Sequence, residues 1–361
     1  KPSVGILTQS GSKITNTGTV TVGNNSVGIF GKEIVQKGTV TVGNGGTGLY
    51  SEGGNVTLDS TSKINTGANK AVGVFTKGAG QTITANAGST MTIGDSSFGF
   101  LNEGTGNTIN SNVASQALGN DGTYIYSSDR TGVVNNNTTL TSTGSYNYGL
   151  YSAGTVTNNA DINFGSGMGN VGIYSTYGGT ATNLSGRSVT VGASYIDPSN
   201  SLNNRYAVGM AAGFNGDGNP AKAYTGNVVN EGTINVTGEY SIGMYGTEAG
   251  TKVYNGTAPG STATINLGAS NTTGMYLDNG AYGYNYGTIR SNGSGLKKLA
   301  GVVVKNGSTI ENWGKIELTA EDSLGILSKG NAAGANPGIV KNYGTFNING
   351  VTDPNDSTVI K

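Results

Sequence analysis

The residues of this chain best suited to chemistry sit together in one stretch, 193–206, where Tyr195, Asp197, Arg205 and Tyr206 fall close to one another. Tyrosine rings stack on the C–H faces of sugars, while Asp, Asn and Arg hydrogen-bond hydroxyls, so this grouping is a candidate ligand site for glycan or protein. The plainer alternative is a surface loop that its neighbours tolerate. A second stretch, Asn215-Gly216-Asp217-Gly218-Asn219, alternates oxygen-bearing side chains as a calcium loop does. An EF-hand carries Glu at its twelfth position, and Gly226 stands there instead. A turn is therefore the better reading, with Asn215, Asp217 and Asn219 only a weak metal candidate. Tyr282, Tyr284 and Tyr286 alternate with Gly283 and Asn285, which places three rings on one face of an extended segment. An aromatic stack accounts for them better than a ligand platform does.

Other chemistry is closed by composition. The chain has 361 residues with no His and no Cys, which removes Ser-His-Asp triads, Cys nucleophiles, His-ligated metals and disulfides. Polysaccharide-cleaving sites need clustered carboxylates, and the adjacent pair Glu321-Asp322 lacks a third partner. No catalytic residue and no cofactor is assigned. Paired threonines such as Thr39/Thr41 would suit an ice-binding array, but Asn55, Lys63 and Asn65 break the register. Twenty basic and twenty acidic residues give zero net charge, which argues against a nucleic-acid backbone as partner. No apolar run reaches the roughly 18–20 residues of a membrane span, so no membrane insertion by this segment is expected.

Something regular must hold these residues, because 64 of the 361 are Gly. Disorder is excluded by 19 Tyr and evenly spaced Val and Ile. A motif of Gly, an aliphatic residue and an aromatic or aliphatic one recurs from Gly5-Ile6-Leu7 through Gly28-Ile29-Phe30 and Gly149-Leu150-Tyr151 to Gly325-Ile326-Leu327. An alternating motif precedes it, as in Val20-Thr21-Val22 and Ile234-Asn235-Val236, with the period of a half-buried strand. From the first apolar residue of the alternating motif to the Gly is 8 residues for Val20 to Gly28 and 9 for Ile234 to Gly243. The return is variable: 12 residues from Gly28 to Val40 and 25 from Gly209 to Ile234.

One fixed corner and one that accepts insertions describe a solenoid whose coils stack in register. Short strands, a period in the twenties and no helical periodicity predict an all-β, right-handed parallel β-helix of about 13 coils, with Gly supplying corner conformations. We expect a single β-helix segment over 1–361, with loop insertions at about 101–139, 193–206 and 211–227. The middle one stretches the fixed corner to 20 residues, from Val189 to Gly209. Neither end reads as a polar cap, so the expectation is a fragment of a longer solenoid.

Two passages carry a family resemblance. Asn230-Glu231-Gly232-Thr233-Ile234-Asn235-Val236 leads to Ser241-Ile242-Gly243-Met244-Tyr245, and at identical spacing Asn312-Trp313-Gly314-Lys315-Ile316-Glu317-Leu318 leads to Ser323-Leu324-Gly325-Ile326-Leu327. Asn285-Tyr286-Gly287-Thr288-Ile289 and Asn342-Tyr343-Gly344-Thr345-Phe346 repeat the first half. The chain resembles the passenger of large type V autotransporter adhesins, most closely the fusobacterial outer-membrane type, over essentially its whole length. That resemblance implies display on the bacterial cell surface, continuation into further β-helix and a C-terminal β-barrel, and adhesion to glycan or protein on host or partner bacterial cells. A stalk that only projects an adhesive tip is the alternative, and an enzyme acting on polysaccharide is a weaker one.

Overall fold

The computed structural model describes residues 1–8, 12–214, 224–330 and 335–349, and the backbone of 358–360. Contacts divide the chain into two compact units, Lys1–Ile162 and Asn163–Lys361. Each is a right-handed parallel β-helix with three short strands per coil and one three-residue 3-10 turn, in the second unit, as the only helical element among the described residues. The first strand of each coil holds the Gly motif, the second ends in Asn in most coils but in Gln36, Leu58, Ala85 and Ser111 in four of the first unit, and the third holds the alternating motif.

In the first unit seven Gly-motif strands, from Val4–Leu7 to Tyr148–Ser152, pair in parallel without slippage. Equivalent positions therefore form columns along the stack. Ile29, Leu49, Val74, Phe100, Ile125 and Leu150 make one such column, all 0–2 % exposed. The residue after each points outward, and Phe30, Tyr50 and Phe75 stack edge to face or tilted at 4.8 Å. In the second unit the inner column reads Ile173, Met210, Met244, Met275, Val302 and Ile326, every one fully buried.

The motif glycines are set by space. A Cβ on Gly274 would lie 2.5 Å from the Gly301 carbonyl oxygen and 2.6 Å from Ile289 Cγ2; Gly28, Gly209 and Gly243 are equally confined. None of these glycines has positive φ. Other glycines, Gly45 and Gly169 among them, supply the corner conformations expected of Gly, while the motif glycines are there because strand and facing strand approach too closely for a side chain. The left-handed residue lies three positions earlier, at Asn25, Lys70, Ser96, Asp121, Tyr146, Tyr240, Asn271, Lys298 and Asp322. That single residue turns the corner. Asp322, singled out above for its neighbouring carboxylate, is such a corner residue, while Glu321 pairs with Lys297 at 2.8 Å.

Residues 101–139, expected as a loop insertion, are built of strands instead. Thr123–Ser127 is a Gly-motif strand in which Tyr124 replaces the Gly, paired between Phe98–Asn102 and Tyr148–Ser152. The Tyr124 ring is buried inside the coil against Phe100, with centroids 5.5 Å apart.

In the second strand of each coil of the second unit, the terminal side chain is an Asn turned inward. Asn183 donates to Asn230, Asn230 to Asn255, Asn255 to Asn285, Asn285 to Asn312 and Asn312 to Asn342, at 3.0, 2.9, 2.8, 2.7 and 2.7 Å. Every amide in the run donates and accepts in the same sense, so the bonds polarise one another and buried polar groups are satisfied.

Candidate functional site

The corner is longest from Val189 to Gly209, and the site forms there, within the second unit. Residues leave the coil after Ser188–Ala193 and return at Val208–Ala212. The inserted loop closes on itself: Tyr195 and Arg205 exchange both main-chain hydrogen bonds at 2.9 Å. The Asp197 carboxylate accepts from Ser199 N and Oγ, Asn200 N and Asn203 Nδ2. Those donors, Ser199 foremost, lower its pKa from 3.8 to about 2. Asn200 caps the short 3-10 turn Ser201–Asn203. Ser194 Oγ anchors the loop by accepting from Ala207 N and donating to the Tyr240 carbonyl.

Tyr206 re-enters three residues before Gly209, the position that Tyr240 holds before Gly243 and Asn271 before Gly274. These three residues therefore form one ridge across successive coils, about 4.8 Å apart along the stack. A second ridge comes from the outward residue after each buried aliphatic: Ala211, then Tyr245, then Tyr276. Tyr245 and Tyr276 stand with centroids 5.9 Å apart. Between the ridges lie Val208, Ile242 and Thr273, and the loop adds Ile196 and Asn204 at one end. Together with Asp278 they enclose a groove of about 630 Å³, inside the roughly 300–1,000 Å³ usual for ligand sites.

The groove is amphipathic. Tyr206 and Tyr240 are 47 % and 45 % exposed at its rim, whereas Tyr245 on the opposite ridge is half-buried. Burial, more than any neighbour, pushes the Tyr245 phenol above its usual pKa, so it stays protonated at neutral pH. Asp278 accepts from Asn306 Nδ2 at 2.6 Å and from the Asn279 main chain at 2.8 Å, and Lys305 Nζ lies 3.5 Å from its other oxygen. The same ammonium sits 5.7 Å from the centre of the Tyr276 ring. Burial opposes the Lys305 charge, but Tyr276 and Asp278 outweigh it and raise the pKa.

Of the residues expected as a ligand site, Tyr206 lines the groove. Tyr195, Asp197 and Arg205 build the loop that presents it: the first and last close its neck, and the Asp197 carboxylate is engaged by the turn. Asn215, Asp217 and Asn219 lie outside the described residues. Tyr240, Tyr245, Asn271, Tyr276 and Asp278 were missed by sequence reasoning. The signal was available, since each sits at a fixed offset from a motif Gly in the coils beside the insertion.

The other aromatic cluster is a stack, as its spacing predicts. Tyr284 lies 4.7 Å from Tyr254 with planes 8° apart and 6.0 Å from Tyr286 at 12°, and Trp313 stacks on Tyr343 at 4.1 Å. These rings spend their faces on one another. Among the described residues no group of Asp or Glu could hold a metal ion, and no helix is long and apolar enough to cross a membrane.

A family model described as the BigA third pectate lyase-like domain matches residues 30–288. That match covers most of the chain and includes the loop and the groove as far as Asp278. No curated protein and no solved structure matched the chain.

Proposed function

The chain belongs to the BigA third pectate lyase-like domain family, an autotransporter passenger-like family, and on that footing we propose that it is an adhesive segment displayed outside the bacterial cell. The pectate lyase-like description is one of fold. The observation that carries adhesion is the groove: a coil corner that takes 8–12 residues in the other coils up to Gly325 takes 20 from Val189 to Gly209, and the added loop builds a wall over neighbouring aromatic residues. Function on a solenoid resides in such additions, because the repeating coils are committed to packing. In this reading the β-helix holds the groove away from the cell, where it takes a glycan or protein on a host cell or on another bacterium. A fusobacterial-type passenger, continuing into further coils and a membrane β-barrel, is the finer form of the same proposal.

The test is saturable binding of the purified chain to epithelial and bacterial cells, comparing wild type with a Tyr206→Ala/Tyr240→Asn variant. Asn is chosen at 240 because it adopts the left-handed corner that Tyr240 occupies. Binding lost in the variant supports the groove. Equal binding by both forms removes the groove from the account, and no binding by either favours a stalk.

A further inference from the structure

We infer that the groove between the Tyr206–Tyr240 ridge and the Tyr245–Tyr276 ridge takes a neutral oligosaccharide and discriminates against acidic ones; this rests on the groove being the adhesive site. Three observations carry the inference.

The first is the kind of surface. Four tyrosines line the groove, two half-exposed at the rim and two on the opposite ridge. A pyranose ring offers apolar C–H patches to such faces and hydroxyls to the polar groups between them. Asn204, Asn271, Thr273 and Asp278 are spread along the groove to meet hydroxyls.

The second is what the groove withholds from a polypeptide. An extended peptide gains affinity by pairing its main chain with an open strand edge. Here the floor strands Val208–Ala212, Ile242–Thr247 and Thr273–Asp278 lie in the middle of a sheet, hydrogen-bonded on both sides. Their main-chain groups are engaged by the neighbouring coils, so the floor offers a peptide no open strand edge.

The third is charge. Asp278 carries the one formal charge among the lining residues. The Lys305 ammonium is engaged by Asp278 and the Tyr276 ring and does not line the groove. A hydroxyl can donate to the Asp278 carboxylate. A sialic-acid or uronic-acid carboxylate would give up water beside Asp278 and meet no cation among the lining residues, a penalty of about tenfold or more in affinity.

The experiment measures affinity of the purified chain for N-acetyllactosamine-terminated oligosaccharides and for the same oligosaccharides capped with sialic acid. Neutral glycans bound at least about tenfold more tightly, with loss in Tyr206→Ala/Tyr240→Asn, is the expected result. An Asp278→Asn variant, checked for folding by near-ultraviolet circular dichroism, removes the carboxylate and releases Lys305. It should narrow the preference by at least about fivefold. Equal or tighter binding of sialylated glycans overturns the inference. So does the absence of glycan binding by a chain whose attachment to cells still depends on Tyr206 and Tyr240, which leaves the adhesive groove standing with another ligand. Attachment to cells that ignores both tyrosines overturns the underlying reading as well.

Discussion

The Tyr124 hydroxyl lies 2.6 Å from Ser111 Oγ inside the first unit, spanning the coil from the Gly-motif strand to the end of the strand that carries Asn in the coils that follow. Ser111 in turn meets Thr138 Oγ1. A large residue fits where Gly99 and Gly149 stand because a small one, Ser111, occupies the place of Asn136 and Asn158 in the coils that follow. The two substitutions compensate in volume and in hydrogen bonding.

Tyr124→Ala should therefore destabilise the first unit by about 3–5 kcal/mol through the cavity it opens. Tyr124→Phe removes only the hydroxyl and should cost about 1–3 kcal/mol, since Ser111 and Thr138 keep one another as partners. Urea unfolding of the two variants distinguishes the contributions.

The asparagine ladder makes a directional prediction. Asn285→Ala leaves Asn255 without its acceptor and Asn312 without its donor, both in a buried column. A loss of about 2–4 kcal/mol is expected, against less than about 0.5 kcal/mol for Asn137→Ala at an exposed position. Hydrogen exchange should show the opening centred on the coils either side of Asn285.

Glycine substitutions separate space from backbone conformation. Gly274→Ala drives a methyl group into the Gly301 carbonyl and should cost at least about 2 kcal/mol. Gly23→Ala has open space around the added atom and a φ any residue adopts, so it should be neutral or slightly stabilising. Thermal unfolding of both is the measurement. If Gly274→Ala were neutral, the close-approach explanation of the repeat would be wrong.

That explanation also sets how much could be read in the sequence. The β-helix, the fixed corner and the position of its one long loop follow from the spacing of Gly28, Gly48 and their successors, because a column of close contacts tolerates no change of register. The coil of Tyr124 was hidden for the same reason: a search keyed on Gly passes over a coil whose interior is filled differently. The groove was half legible. Tyr206 stands out in the long loop, but Tyr245 and Tyr276 look like ordinary repeat aromatics. Only the neighbouring Ala211 and the loop wall turn them into one side of a cleft.

Acid should loosen the loop before the coils. The Asp197 pKa is lowered to about 2 by its hydrogen bonds, so the ionised form supports the loop at neutral pH. That support is complete above about pH 4 and is lost as pH falls toward 2, with no change expected between pH 5 and 8. Limited proteolysis between residues 195 and 205 should quicken only in that acid window, and an Asp197→Asn variant should be cut faster already at pH 7.

The groove is tested most directly by hydroxyl-radical footprinting of the intact chain, alone and while bound to target cells. The account predicts ligand-dependent protection at Tyr206, Tyr240 and Tyr276, with Tyr284 and Tyr343 unchanged. Protection confined to the Tyr284–Tyr343 face, or none at the groove while the chain remains bound, would contradict it.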